Sequence, residues 1–200
     1  MVATTNLAKF AELKSMLGEC VEWVSLTDFG RMRKVREDGQ TFVDNACKKA
    51  IGYAKKTQLW TIADDSGLMI DALDGAPGVK SARFSGAKGK NRKLLDHKNM
   101  AKVLDLLRDV PKEQRTARFV CSLCLATPDE IMIATEGTLE GIITDKEIGK
   151  NGFGYDPIFF VPELNKTVAQ LTRKQKNAIS HRGNAIRKLK PFLEQLLENS

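Results

Sequence analysis

Apolar segments alternate with amphipathic, helix-like segments over roughly the first half of the chain, and this alternation limits the fold more than any other feature. It is typical of α/β proteins, in which strands of a sheet are separated by helices that cover it. The pattern predicts strands over residues 1–3 and 59–63, the second ending at Asp64. It predicts helices from an Asn6 cap to Gly18 and over residues 41–56 and 91–108.

The pattern changes after residue 115, where three apolar segments follow one another with only short turns between them. Strands are predicted over residues 116–126, 131–141 and 158–161. Because strands joined by short turns run antiparallel, the whole sheet must be mixed. A last helix is predicted to begin near Asn177, with Pro191 kinking it or dividing it in two. No linker interrupts the chain, which predicts a single domain over residues 1–200 with any second lobe formed by an excursion.

The charge balance points to an anionic partner. Lys and Arg number 32 against 25 Asp and Glu, a formal net charge of +7. Only 6% of residues are aromatic and no RNA-binding motif is present, so a small phosphorylated ligand is favoured over a stable nucleic-acid partner. No apolar run approaches the roughly 18 residues of a membrane span, and the N-terminus lacks a signal-peptide pattern. We therefore expect no membrane partner and a cytoplasmic location.

Four cysteines, Cys20, Cys47, Cys121 and Cys124, include one Cys-x-x-Cys pair that invites a zinc or redox interpretation. The pair falls in a predicted strand, where an offset of three residues sends two side chains to opposite faces. Zinc sites of this type also need a second pair of ligands. We therefore expect core cysteines.

Two segments in the first third of the chain carry possible phosphate chemistry. Thr4-Thr5-Asn6-Leu7-Ala8-Lys9 joins a strand to a helix, where free backbone N–H groups and the helix dipole favour an anion. A plain Asn cap with a solvated lysine is the alternative. Asp64-Asp65-Ser66-Gly67 places two adjacent carboxylates at a predicted strand end, where a divalent cation or an arginine would relieve their repulsion. A solvated acidic turn remains possible.

Two later segments suit nucleotide binding. Gly152-Phe153-Gly154-Tyr155-Asp156-Pro157 places an aromatic ring between glycines, either for stacking on a planar ligand or as a packed residue in a rigid turn. Lys176-Asn177-Ala178-Ile179-Ser180-His181-Arg182 gathers directional donors that suit phosphates or a base edge. A helix-capping cluster is the alternative for that segment.

Taken together, these segments resemble the Ham1/ITPase family of non-canonical purine nucleoside triphosphate pyrophosphatases over nearly the whole chain. Further matching stretches are Thr41-Phe42-Val43-Asp44-Asn45-Ala46, Gly75-Ala76-Pro77-Gly78-Val79 and Ser81-Ala82-Arg83. The resemblance implies an elongated two-lobed α/β fold, a mixed twisted sheet with flanking helices, and an active site in the cleft between the lobes. It also implies a homodimer that hydrolyses ITP, dITP and XTP to the monophosphate and pyrophosphate with Mg²⁺.

The resemblance also assigns site residues by motif. Asp65 would be the proton acceptor and, with Glu37, would hold the metal. The residues assigned to phosphates, sugar or base are Thr4, Thr5, Asn6, Leu7, Ala8, Lys9, Ser66, Phe153, Gly154, Tyr155, Asp156, Lys176, His181 and Arg182. No Ser/His/Asp or Cys/His set favours a covalent intermediate, so direct attack by water is expected.

Two other interpretations compete with this one. A Maf-like pyrophosphatase would act on canonical or modified pyrimidine nucleotides, and the His181-Arg182 pair with the Phe153 loop argues against it. A non-catalytic nucleotide- or RNA-binding module would leave carboxylates Asp64 and Asp65 inside a phosphate site, where they would weaken binding.

Overall fold

The protein is described by a computed structural model over residues 1–18, 21–30 and 32–198. Its helices in this range are α1 (Leu7–Leu17), α2 (Phe42–Thr57), α3 (Arg92–Leu106), α4 (Arg173–Ile179) and α5 (His181–Glu198). Its strands are β1 (Thr61–Ile70), β2 (Thr116–Ala126), β3 (Ile131–Ile143), β4 (Phe159–Val161) and β5 (Lys166–Thr167), which form one sheet in chain order. Strand β4 pairs antiparallel with both β3 and β5, whereas Val2 bridges Ile62 in the parallel sense. The predicted α/β class is therefore confirmed, and parallel pairing is seen at the isolated bridges of Val2.

Side-chain caps fix the starts of the first three predicted helices. The Asn6 side chain accepts the Lys9 backbone N–H at 3.4 Å, and the Asn91 side chain accepts that of Leu94 at 3.2 Å. Thr41 forms a capping box with Asp44 at the start of α2. Such caps satisfy N–H groups that have no partner within the helix, so these boundaries could be predicted locally.

Three local predictions are wrong. Strand β1 does not end at Asp64 but continues to Ile70, so the two aspartates lie inside a strand. Residues 1–3 form no strand beyond the isolated bridges of Val2. Helix α5 is not divided at Pro191, and the interruption falls instead at Ser180, whose extended backbone separates α4 from α5. For β1, side chains distant in sequence contact Asp64 within the strand.

The chain divides into two compact units. Unit 1 contains Met1–Ser66, Cys121–Gly137 and the residues from His181 onward, and unit 2 contains Gly67–Val120 and Thr138–Ser180. Each unit is therefore assembled from separate stretches of chain. The assignment of residues 1–200 to one catalytic domain stays a prediction.

Each unit has its own buried apolar residues. In unit 1, one cluster includes Leu13, Leu123 and Ile186, and a second is built on Ala46 and Ala50 of α2. In unit 2, the cluster includes residues of β1, α3 and β4, together with the stacked rings of Phe119 and Phe159, whose centroids lie 4.3 Å apart. These clusters hold α1, α2 and α5 in unit 1 and α3 in unit 2, and those helices carry most of the polar residues discussed below.

The Cys-x-x-Cys pair behaves as the strand geometry predicts. Cys121 and Cys124 are fully buried, not disulfide-bonded, and belong to different apolar clusters of unit 1. Burial raises the pKa of the Cys121 thiol to about 11, which keeps it protonated and unreactive. The prediction of core cysteines is confirmed for these two residues, while Cys20 lies outside the described residues.

None of the helices within residues 1–18, 21–30 and 32–198 has the length and apolarity that crossing a membrane requires.

Gly137 of β3 is a position where unit 1 tolerates no side chain. A Cβ atom there would lie 2.3 Å from the backbone of both His181 and Ala185 in the first turns of α5. We expect Gly137→Ala to cost about 2–3 kcal/mol through overpacking and to lower Tm by about 5–10 °C. Gly30→Ala is the control, since a Cβ at Gly30 meets nothing within 4 Å. Equal Tm values for the two variants in calorimetry would contradict this prediction.

Candidate active site

The two adjacent aspartates of β1 have different surroundings because successive strand residues point to opposite faces. Asp64 is 2% exposed, whereas Asp65 is partly exposed. Each carboxylate therefore has its own set of partners within unit 1.

Asp64 is held by cations and a hydroxyl. Its Oδ2 atom accepts hydrogen bonds from Lys9 Nζ at 2.7 Å, Ser66 Oγ at 3.0 Å and Arg182 Nη2 at 3.4 Å. Burial alone would raise the pKa of Asp64, but the nearby cations, Lys9 first and then Arg182 and Lys49, outweigh burial and hold the pKa far below its usual range. Asp64 is thus a charged carboxylate paired with two cations.

Arg182 links α5 to two carboxylates of unit 1. It is 2% exposed, and its Nη1 atom contacts the Glu12 carboxylate of α1 while Nη2 reaches Asp64. Its pKa is raised because Asp64 and Glu12 outweigh the opposing effect of burial. His181, also buried, precedes it at the start of α5. Arg182 thereby helps to hold the Asp64 carboxylate in place.

Among the described residues, Asp65 is bound by a neutral amide and not by an ammonium or a guanidinium group. Its Oδ2 atom accepts a hydrogen bond from the Asn45 amide at 3.0 Å, and its pKa is raised chiefly by burial, against the lowering effects of Lys49 and Asn45. Lys49 lies in turn 3.1 Å from Glu37 Oε2. The carboxylates of Asp64, Glu37 and Asp65 raise the pKa of Lys49 in spite of its burial, so its ammonium stays charged. A basic carboxylate beside a fixed cation is suited to accept a proton.

Glu37 and Asp65 are the side chains of this region that could hold a metal ion. Both carboxylates interact with Lys49, and Glu37 raises the pKa of Asp65. In the part of the chain that the structure describes, no group of three or more His, Cys, Asp or Glu side chains has the arrangement of a complete metal site. Two carboxylates fit Mg²⁺, which keeps several waters and commonly takes its remaining ligands from substrate phosphates.

A cavity of about 320 Å³ opens in unit 1 beside this group of residues. Its lining is mixed, with two lysines, a carboxylate, hydroxyls and apolar side chains. The polar residues among them are Thr4, Thr5, Lys34, Glu37, Lys49 and Tyr53. Such a lining can accept an anion because its cations are not all neutralised within the cavity.

The segment before and within the first turn of α1 lies in unit 1, where Thr4 and Thr5 line the cavity. Thr4 is buried and its Oγ1 accepts the Asn6 N–H at 3.1 Å, while Thr5 is exposed beside the cavity. Ala8 and Lys9 lie in the first turn, and Leu7 is 66% exposed. Leu7 therefore lies at the surface at the start of α1 and does not pack into the core.

The glycine-rich loop lies in unit 2 and has its own fixed geometry. Asp156 Oδ2 accepts the Phe153 N–H at 2.9 Å and the Lys176 ammonium at 2.6 Å, and that ammonium lies 4.5 Å from the centroid of the Phe153 ring. Gly152 has φ of +78°, and a Cβ atom there would lie 2.0 Å from Asp156 Oδ2. Tyr155 is buried and donates its hydroxyl to the Ser81 carbonyl at 2.8 Å. The half-buried Phe153 ring is thus held by its loop rather than free in solvent.

The structure also adds residues that the sequence analysis did not single out. Asn45 contacts Asp65, and Lys49 contacts Glu37. Glu12 contacts Arg182. Asn45 and Lys49 are four residues apart on α2, so their shared face was readable once a helix was predicted. The partners of Glu12 are separated from it by up to 170 positions, and no local signal indicated them.

The two-unit α/β fold with these polar clusters is matched by a known family. The profile of the Ham1 family aligns with residues 1–192. The chain therefore belongs to the Ham1 family, as the motifs predicted.

Relatives and solved structures agree with that assignment. The chain is 46% identical over 197 residues to a dITP/XTP pyrophosphatase of Desulforamulus reducens, covering 98% of this chain and 96% of the relative. It is 47% identical to one of Halalkalibacterium halodurans, covering 97% and 98%. The solved Ham1 protein of Staphylococcus aureus superposes with a TM-score of 0.86 at 40% identity, covering 97% of both chains.

Proposed function

We propose that this protein hydrolyses non-canonical purine nucleoside triphosphates, namely ITP, dITP and XTP, to the monophosphate and pyrophosphate. The observation that carries the proposal is the arrangement in unit 1 of a basic carboxylate, Asp65, beside Lys49 and Glu37. The names of relatives that are 46% and 47% identical over almost their full length support the substrate class. Removal of deaminated purines from the nucleotide pool would be the cellular role.

In the proposed mechanism, Asp65 accepts the proton of the attacking water. Its raised pKa makes it a stronger base than an exposed aspartate, and the hydrogen bond from Asn45 fixes the orientation of the carboxylate. Lys49 stays charged beside it and stabilises the negative charge that builds up on the phosphates. Because no covalent nucleophile is required, one positioned water suffices.

The metal in this proposal is Mg²⁺, with Glu37 and Asp65 as its protein ligands. The ion would supply charge neutralisation on the phosphate oxygens. The fit rests on the oxygen donors and on their number, since Mg²⁺ is usually bound by one or two carboxylates together with substrate phosphates.

The remaining binding roles are divided between cations and the glycine-rich loop. Thr4, Thr5, Asn6, Leu7, Ala8 and Lys9 would hold phosphates through backbone N–H groups and one ammonium, with Ser66 and Lys176 as further phosphate or sugar contacts. The purine would be contacted by Phe153, Gly154, Tyr155, Asp156 and His181. Arg182, which also contacts Glu12 and Asp64, would bind the nucleotide together with His181. A homodimer in the cytoplasm completes the proposal.

The test is a pyrophosphate-release assay with purified protein on ITP, XTP, dITP, GTP, ATP and dTTP, with and without Mg²⁺. We expect kcat/KM for ITP to exceed that for ATP by about 10²-fold or more. A donor such as His181 or Arg182 that binds the C6 oxygen of hypoxanthine would meet the C6 amino group of adenine instead. GTP, which shares that oxygen, should be rejected less strongly than ATP. Preference for dTTP would favour a Maf-like enzyme, and absence of Mg²⁺-dependent pyrophosphate release would favour a binding module.

A further inference from the structure

The loop of unit 2 formed by residues 152–156 is held by two carboxylates. The first is Asp156, which belongs to the loop itself and binds the Phe153 N–H and Lys176. The second is Asp96, whose Oδ2 atom accepts the Gly154 N–H at 3.0 Å from a position 58 residues earlier in the chain. The backbone of Gly154, the residue after Phe153, is therefore fixed by a side chain from outside the loop.

Asp96 is placed to do this by helix α3. It is 7% exposed, and its other oxygen, Oδ1, lies 2.9 Å from Arg92 Nε one turn earlier. Aspartate is almost never this buried unless it is paired, so its burial requires a specific role for the charge. Besides pairing with Arg92, Asp96 binds the Gly154 N–H.

The same face of α3 also holds a second segment of unit 2. Asn99, three residues after Asp96, accepts the Ser85 N–H at 2.8 Å and donates to the carbonyls of Ser81 and Ala82 at 3.3 Å and 3.4 Å. Ser81 also accepts the hydroxyl of Tyr155, the residue that follows Gly154. Helix α3 thus fixes Gly154 directly through Asp96 and Tyr155 indirectly through Asn99.

Gly154 is a position where an external anchor has a large effect. Its φ of +65° lies in the left-handed region, and nothing lies within 4 Å of a Cβ atom built there. Packing therefore does not restrict this glycine, which has more backbone freedom than any other residue type. The hydrogen bond to Asp96 is the observed restraint on its N–H.

We propose that Asp96 is a positioning residue for purine recognition, which holds the Gly154 N–H and thereby fixes the loop that presents Phe153 to the base. This inference rests on the proposed function, which assigns the loop to the purine. Without Asp96 the loop would have to be ordered by the substrate at each binding event, which weakens binding. The groups assigned to proton transfer and phosphate binding in unit 1 would be unchanged.

The expected result is a change in KM with little change in kcat. Asp96→Ala should raise KM for ITP by about tenfold, the usual effect of losing a hydrogen bond to a charged acceptor, and leave kcat within about threefold. Asp96→Asn should restore KM to within about threefold of the unchanged protein, because its amide oxygen still accepts the N–H. Asp105→Ala on the same helix is the matched control, since the Asp105 side chain is 63% exposed and pairs with Arg108.

A second measurement begins with the unchanged protein, so its first result does not depend on a variant folding. Amide hydrogen exchange of Gly154 in the unchanged protein should be slowed by at least about tenfold relative to an unstructured glycine, and Asp96→Asn should remain slower than Asp96→Ala. Exchange at the unstructured rate in the unchanged protein would overturn the inference.

The remaining outcomes separate the two proposals. If the unchanged protein hydrolyses ITP but Asp96→Ala leaves KM unaltered, or if Asp96→Asn is as impaired as Asp96→Ala, the positioning role is wrong and the proposed function stands. If the unchanged protein hydrolyses none of the purine triphosphates, the proposed function fails, and the positioning role for purine recognition fails with it.

Discussion

Asp65→Asn should lower kcat for ITP by about 10³-fold while leaving the fold intact. Asparagine keeps the size and one acceptor of the side chain, so the contact with Asn45 can be retained. It cannot accept a proton, and loss of a general base typically costs about 10²–10⁴-fold in rate. Asn is also a poorer Mg²⁺ ligand than a carboxylate, so any contribution of Asp65 to metal binding is lost in the same variant.

The measurement is steady-state pyrophosphate release together with a thermal melt. Asp38→Asn is the matched control, because Asp38 is a neighbour of Glu37 in the sequence, its carboxylate is 47% exposed, and it pairs with Lys48 on the surface. We expect this control to keep kcat within about twofold, since exposed ion pairs contribute little. If Asp65→Asn retains more than a tenth of the original kcat, Asp65 is not the proton acceptor and the role must be reassigned.

Local sequence signals explain how much of the fold could be predicted. The starts of α1, α2 and α3 depend on side chains of Asn6, Thr41 and Asn91 that act within three residues of themselves. Strand β2 was predicted with its observed bounds because most of its residues are apolar, as its burial on nearly every residue requires. These features need no distant partner.

The continuation of β1 through Asp64 and Asp65 could not be predicted in the same way. Aspartate and glycine are depleted in strands, and the segment contains two aspartates followed closely by a glycine. The strand persists because Asp64 is neutralised by Lys9 and Arg182, which come from helices near opposite ends of the chain. A local rule cannot include such partners.

The candidate site also combines residues that local motifs indicate with residues that only distant contacts reveal. Residue types and motif order indicated Asp65, Lys9 and Phe153, but not which side chains hold them. Asn45 and Lys49 could have been found from helical spacing, whereas Glu12 and Asp96 become visible only when the chain is folded. Long-range contacts therefore account for the positioning residues, and motifs account for the residues assigned to the substrate.

The second large effect is expected at Asp64, and it concerns stability. Asp64→Asn removes the one charge shared by Lys9 and Arg182 and leaves their cations buried or half-buried without that partner. Breaking a buried ion pair from one side typically costs about 3–5 kcal/mol, which corresponds to a fall in Tm of roughly 6–20 °C for a chain of this size. Urea unfolding at pH 7 gives the free energy, and Asp71→Asn, which alters the exposed Asp71–Arg118 pair, is the control.

Acid titration identifies the charge as the cause of this loss. The pKa of Asp64 is far below its ordinary value of 3.8 in the folded protein, so its stabilising effect is complete above about pH 3.8 and is lost as the pH falls toward the folded-state pKa. Asparagine has no such dependence. The difference in unfolding free energy between the original protein and Asp64→Asn should therefore be constant from pH 7 to about pH 5 and shrink below about pH 4. A difference that stays constant down to pH 2.5 would mean that the variant loses packing or a neutral hydrogen bond, and that the Lys9–Asp64–Arg182 charges contribute nothing to folding.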